Sequence, residues 1–152
     1  MATDRPPEAQ PAENPPSGRW ELSATTSEGT LDRILDLVGE MFAVEEIDES
    51  DRMQFEIAVA EIGANIIEHA GRGRPISLTL QLALFPDRLE AVFLDDGAPA
   101  GWICARSNSP DALAERGRGL AIALAALDEL RYHRRSGTNR WTLVCYRSPT
   151  ES

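Results

Sequence analysis

Three segments of this sequence combine residue types and spacings that can do chemistry. In the first, Glu61-Ile62-Gly63-Ala64-Asn65, a carboxylate and an amide stand four residues apart. On a helix that is about one turn, so their side chains point roughly 40° apart. Ile57, Ala58, Ala60, Ile62, Ala64, Ile66 and Ile67 surround them, so the pair is expected to cover a cleft. A carboxylate such as Glu61 beside an apolar wall can act as a base. The amide oxygen of Asn65 is a hard ligand of the kind that suits Mg2+. Taken alone, the pair also fits a partly solvated helix face beside Glu68, and His69 also fits a packed histidine.

In the second segment, Phe93-Leu94-Asp95-Asp96-Gly97-Ala98-Pro99, an apolar strand runs directly into two acids and a glycine. A carboxylate fixed at a strand end, Asp95, can accept a hydrogen bond from an amino group, and Gly97 lets backbone approach a flat ligand closely. Asp-Gly is also a common turn dipeptide. The third segment, Glu115-Arg116-Gly117-Arg118-Gly119-Leu120, joins a polar loop to a helix start. Glycine-rich backbone entering a helix N-terminus presents free N–H groups and the positive end of the helix dipole, which suits an anion. Arg116 and Arg118 add charge, although a hinge leading into a helix reads the same way. The segment is not a dinucleotide fingerprint, because Ile122 stands at the third glycine position and no βαβ unit surrounds it. Together, the three segments supply the parts needed to hold Mg·ATP: a metal-capable pair, an amino-reading acid and a phosphate cradle.

Composition narrows the field. The chain has 152 residues, of which 42% are apolar and 26% charged, as expected of one ordinary globular domain. All 15 basic residues are Arg. The absence of Lys excludes a P-loop lysine, the strand lysine of eukaryotic-type protein kinases and Schiff-base chemistry. A formal charge of −10 disfavours nucleic acid as a partner and suits basic protein surfaces. Cys104 and Cys145 form neither a disulfide framework nor a metal-ligand pair, which fits the cytoplasm. No apolar run approaches the ~20 residues of a membrane helix, and the N-terminus lacks a signal-peptide core.

These residues require positioning elements. Residues 1–18 hold Pro6, Pro7, Pro11, Pro15 and Pro16 and read as a disordered tail, with the folded part spanning 19–148. Trp20–Ser23 reads as a short strand. Thr30–Val44 has helical apolar spacing, with Ser27 as its expected N-cap. An acidic link leads to a second helix over Asp51–Ala70, with Phe55, Val59, Ile62 and Ile66 in one stripe, ended by Gly71-Arg72-Gly73. Ile76–Phe85 and Leu89–Leu94 alternate as a hairpin around Pro86-Asp87. A long polar loop over 95–115 precedes a third helix at Arg118–Leu130. Arg131–Arg135 and Arg140–Tyr146 form a last hairpin around Ser136-Gly137-Thr138-Asn139. Helices interspersed with hairpins predict an α+β two-layer sandwich, a mainly antiparallel mixed sheet with helices on one face.

The order and spacing of the three segments resemble the anti-sigma-factor serine/threonine kinases of the RsbW and SpoIIAB type, within the superfamily of gyrase, histidine-kinase and related ATP-binding domains. Glu61-x-x-x-Asn65 with His69-Ala70 is similar to that family's N box. Asp95-Asp96-Gly97-Ala98-Pro99 resembles its D-x-G-x-G/P box, and Gly117-Arg118-Gly119-Leu120 followed by Asp128-Glu129-Leu130 resembles its second glycine box and helix. Gly137-Thr138 stands where the family has a Gly-Thr before its last strand. The resemblance covers Trp20–Arg147 and implies a Bergerat-type ATP-binding fold.

By that resemblance, Asn65 would coordinate the Mg2+ that bridges the phosphates, and Glu61 would be the general base toward an acceptor hydroxyl. Asp95, helped by Gly97, would accept from the adenine amino group. Gly117, Arg118, Gly119 and Leu120 would close over the phosphates, with the loop 101–116 as a lid, and Thr138 would support the adenine end. The implied activity is transfer of phosphate from ATP to a Ser or Thr of a small anti-sigma-factor antagonist, together with sequestration of a sigma factor, by a homodimer. The chain has no room for a helical domain carrying an acceptor His, so an acceptor on another protein is expected. The alternatives are an ATP-gated binding switch without catalysis, which would not need Glu61, and a kinase of a partner-switching pathway without a sigma factor.

Overall fold

A computed structural model describes residues 15–100 and 118–149. The tail expected over residues 1–18 lies outside them as far as Asn14, and the lid expected over 101–116 lies outside them entirely. The order of elements is β1 (Gly18–Thr25), α1 (Thr30–Phe42), α2 (Glu49–Asn65), a π-helical turn (Ile66–Ala70), β2 (Ser77–Leu84), β3 (Arg88–Asp95), α3 (Arg118–Ala126), β4 (Glu129–Arg135) and β5 (Thr138–Tyr146). The strands form one open sheet in the order β1-β2-β3-β5-β4. Every pairing is antiparallel, so no parallel pair makes the sheet mixed among the described residues. Helices cover one face, and the architecture is the expected α+β sandwich.

The core follows from the two periodicities. In β2, Leu78, Leu80, Leu82 and Leu84 face inward, and in β3 Leu89, Ala91 and Phe93 do so, because alternate side chains share a face. On α1, Ile34, Val38 and Met41 form the matching stripe; on α2, Phe55, Ala58, Val59, Ile62 and the following Ile66 do. Gly63 brings α2 down onto β3: a Cβ there would stand 3.3 Å from both Phe93 Cζ and Ile34 Cδ1. Helix α3 packs on α2 and contributes Ala123 to the core. No helix among the described residues is long and apolar enough to cross a membrane.

The boundaries depart from expectation in instructive ways. Strand β1 is longer than Trp20–Ser23, because it pairs with the whole of β2 from Gly18↔Leu84 to Thr25↔Ser77. Ser27 does not cap α1. Gly29 is the N-cap and no side chain caps it; the backbone N–H of Ser27 instead donates to Thr30 Oγ1 at 2.8 Å. Helix α2 starts two residues early because Asp48 caps it, accepting from Ser50 N and Asp51 N at 3.0 and 3.4 Å. The third helix stops at Ala126, and Glu129–Leu130 belong to β4, where Leu130 pairs with Leu143. The last turn is two residues, Ser136-Gly137, not four. Both have positive φ (53° and 80°), the requirement of the tight hairpin turn that matches strand twist.

Candidate functional site

The C-terminal end of α2 and the C-terminal end of β3 meet at one corner of the sandwich. After Asn65 the helix widens into the π turn. The side chain of Asn65 donates through Nδ2 to the carbonyl of Glu61 at 2.9 Å, and an i−4 bond of this kind loosens the backbone ladder. Such widenings recur at functional sites. The bond also fixes the amide plane. Among the described residues no donor reaches Asn65 Oδ1, nor the carboxylate of Glu61. His69, in the same turn, lies 3.5 Å from Glu68.

The loop after β3 is docked on this turn. Ala98 N donates to Ala70 O at 2.7 Å. Gly97 lies so close that a Cβ would stand 2.5 Å from Ala70 O and 2.7 Å from Ala70 Cβ, so only glycine fits there. The two acids divide the work. Asp96 is exposed and ties the loop to the start of β2, accepting from Ser77 N at 2.9 Å. Asp95 is 2% exposed. Its Oδ1 accepts from Gly97 N at 2.9 Å and Asn139 Nδ2 at 2.8 Å, and its Oδ2 accepts from Trp141 Nε1 at 3.2 Å.

Around Asp95 the structure brings in residues that sequence reasoning missed. Asn139, Trp141, Tyr132 and Arg134 are all on the face of the sheet that carries Asp95, because Asn139 is its register partner and Arg134 is the register partner of Asn139. Thr138, the residue expected at this end, is exposed beside the tight turn, and strand alternation sends it to the opposite face. The available signal was the same alternation: Asn139 shares parity with Trp141 and Leu143. Arg118, Gly119 and Leu120 form the first turn of α3, on the helix that packs against α2. Gly117 lies outside the described residues. An open hollow of about 570 Å³ borders the junction of π turn and loop, with Arg72, Arg74 and Asp96 in its wall.

This arrangement can hold a nucleoside triphosphate. A carboxylate has about four lone-pair sites, and three internal donors leave Asp95 one acceptor position, on Oδ2, for an amino group. Magnesium is usually held by one or two protein oxygens with substrate phosphates supplying others, and Asn65 Oδ1, which no donor among the described residues reaches, is an oxygen that would suit it. The start of α3 offers backbone N–H groups to phosphate. The residues present therefore fit Mg·ATP.

The open antiparallel sheet and the three α-helices seen among the described residues, with these motifs along one side, define a class of nucleotide-binding domain. The histidine kinase-like ATPase domain family matches residues 23–145, and the chain belongs to that family. ATP binding is what this membership implies. Among solved structures, the chain is similar to the crystal structure of the RsbU and RsbW domains of Rv1364c from Mycobacterium tuberculosis, with a TM-score of 0.60 and 21% identity. That match covers 88% of this chain and 34% of the other, so the chain spans about a third of its neighbour's length. The likeness establishes a shared fold. No curated protein matches in sequence.

Proposed function

We propose that this chain is an ATP- and Mg2+-dependent serine/threonine protein kinase of the RsbW type, which phosphorylates a small anti-sigma-factor antagonist and, as a homodimer, sequesters a sigma factor. The observation that carries the reading is the docking of the Asp95–Ala98 loop on the turn that continues α2, through the Ala98–Ala70 bond and the Gly97 contact. It brings the Asp95/Gly97 segment against Ala70, five residues beyond Asn65, in the turn that continues α2. The RsbW domain named in the structural neighbour supports the partner-switching part, and the charge of −10 suits a basic partner surface.

Within this reading each residue has a task. Asp95 accepts from the adenine amino group, and Gly97 keeps the loop against Ala70 so that the base can approach. Asn65 presents its amide oxygen to Mg2+, with its amide plane held by the Glu61 carbonyl. The metal, when bound, neutralises charge on the phosphates. Backbone N–H groups at the start of α3, from Arg118 through Gly119 to Leu120, take up phosphate charge. Glu61 receives the proton from the Ser or Thr hydroxyl as its oxygen attacks the γ-phosphorus and ADP leaves. Phosphoryl transfer depends on position and charge neutralisation more than on covalent chemistry, which is why a site with no Lys suffices.

The test is recovery of partners from the native cell with ATP and with ADP, followed by mapping of phosphorylated residues on whatever is recovered. A small protein phosphorylated on Ser or Thr in an ATP- and Mg2+-dependent manner is expected. Nucleotide-dependent recovery without any phosphorylation would instead support the non-catalytic switch.

A further inference from the structure

The polar groups behind Asp95 are more elaborate than a buried carboxylate requires. Asn139 is 1% exposed and every polar atom of its amide is engaged. Nδ2 donates to Asp95 Oδ1 at 2.8 Å, to Ala98 O at 2.8 Å and to Gly97 O at 3.3 Å. Oδ1 accepts from Arg134 Nη1 at 2.9 Å and from the Tyr132 hydroxyl. Arg134 Nη1 also donates to Gly97 O at 3.0 Å, and the Tyr132 hydroxyl accepts from Ala100 N at 3.0 Å. The geometry is set by register: Asp95, Asn139 and Arg134 form one row across β3, β5 and β4, and Phe93, Trp141 and Tyr132 form the next. Tyr132 rests on Trp141 with ring centroids 4.7 Å apart, and Trp141 Nε1 donates to the second oxygen of Asp95.

We infer that Tyr132, Arg134 and Asn139 are positioning residues for nucleobase recognition: a clamp, built from β5 and the edge strand β4, that fixes the rotation of the Asp95 carboxylate and so selects a base carrying an amino group. The inference rests on the adenine-reading role proposed above and adds its determinant. The terminal torsion of an aspartate is soft, so a lone carboxylate would turn to suit several ligands. Here Oδ1 is consumed by the Gly97 and Asn139 donors, and only Oδ2 keeps an open acceptor site. Arg134 and Tyr132 hold Asn139 in the orientation that makes it a donor toward Asp95. With its oxygen occupied by their donors, the amide is held against flipping, and a flipped amide would set oxygen against carboxylate.

The test compares ATP with inosine triphosphate, which has an oxygen where adenine has its amino group, by calorimetric titration of the full chain with Mg2+. The wild type is expected to prefer ATP by at least about tenfold, as a hydrogen bond to a charged group gives. Tyr132→Phe, which keeps the ring on Trp141, and Arg134→Leu are expected to shrink that ratio while leaving the affinity for inosine triphosphate in place. Asn139→Leu is expected to abolish the preference. A merely structural role would lower stability or both affinities together. An unchanged ratio in folded Tyr132→Phe and Arg134→Leu overturns the clamp and leaves the adenine reading standing, and these two variants decide the matter if Asn139→Leu does not fold. No preference in the wild type overturns the adenine reading itself, before any variant is read.

Discussion

The amide of Asn139 donates to the carboxylate of Asp95 across the β3–β5 pair at 2.8 Å. The acid at the heart of the candidate site is therefore held by the sheet that carries it, with one oxygen spent internally and the other partly open. Asp95→Asn replaces one acceptor oxygen by an NH2 group. Whichever way that amide turns, it faces Trp141 Nε1 or the Gly97 and Asn139 donors. We expect a loss of about 1–3 kcal/mol in stability from the unmatched donor, and a drop in preference for adenine over guanine nucleotides. Urea titration gives the first and competition binding the second; full selectivity in a folded variant would contradict the adenine-reading role.

Gly97→Ala tests the docking of the loop. The new methyl would meet Ala70 O at 2.5 Å and the Ala70 carbonyl carbon at 2.8 Å, and both contacts are backbone that cannot swing away. The loop must lift, breaking the Ala98–Ala70 bond and disturbing the Asn139 contacts. A cost of about 1–3 kcal/mol is expected, as for overpacking elsewhere, together with weaker ATP binding. Thermal unfolding with and without nucleotide should show a smaller ligand-induced stabilisation than the wild type.

How much of this was legible from the sequence depended on whether a feature repeats. The leucines of β2 alternate over eight residues and the stripe of α1 recurs at helical spacing, so element type and inward face could be read directly. The end of α3 could not. Leu120–Leu130 is apolar almost throughout, and only the long-range pairing of Leu130 with Leu143 makes its last residues strand. The π turn leaves no periodic trace in five residues. In the site, Asp95 and Asn65 stood out because polar residues ended or interrupted apolar elements. Asn139 is hidden by its neighbour: the Gly137-Thr138 resemblance points to Thr138, while register, which composition cannot supply, carries the next residue to Asp95.

The far end of the sheet offers a control. Arg147 donates through Nη1 to Glu45 Oε2 and Phe85 O, both at 2.9 Å, and through Nη2 to Glu46 O at 3.2 Å. Ser148 then donates to the buried Asp51, from N at 2.7 Å and from Oγ at 3.1 Å. This clasp ties the link between α1 and α2 to the Phe85–Arg88 turn, at the opposite end of β3 from Asp95. Arg147→Ala should cost about 2 kcal/mol, the scale of hydrogen bonds to a charged group, with ATP affinity unaltered. Urea midpoint and titration calorimetry on the same preparation separate the two effects; a large change in affinity would show that the two ends of the sheet are coupled.

Cys145 provides a pH-dependent prediction. Burial, with smaller contributions from the charges of Asp128 and Asp51, pushes its thiol up from 9.0 to about 12. Its Sγ donates to Ala126 O at 3.4 Å. The folded state therefore favours the protonated thiol. Its contribution to stability is complete below pH 9, where the unfolded chain also keeps the proton, and is lost as pH rises from 9 toward 12. Relative to Cys145→Ala, the wild type should lose stability more steeply across that window. In a Cys104→Ser background, a thiol reagent at pH 8 should label Cys145 only after denaturation; rapid labelling of the folded protein would contradict its burial.

Glu61 separates the kinase from a switch that merely binds nucleotide. Its backbone carbonyl already orients Asn65 at 2.9 Å, and that contribution survives truncation of the side chain. Glu61→Ala should therefore leave Mg·ATP affinity near wild type while lowering phosphoryl transfer by about 10²- to 10⁴-fold, the range for loss of a general base. Asn65→Ala removes the amide oxygen itself and should lose the magnesium-dependent part of the affinity while keeping any metal-free binding. Titration with and without Mg2+, beside a single-turnover transfer assay on the recovered acceptor protein, resolves the pair. Undiminished transfer by Glu61→Ala would remove the base assignment, and equal affinity with and without the metal in both wild type and Asn65→Ala would remove the metal role.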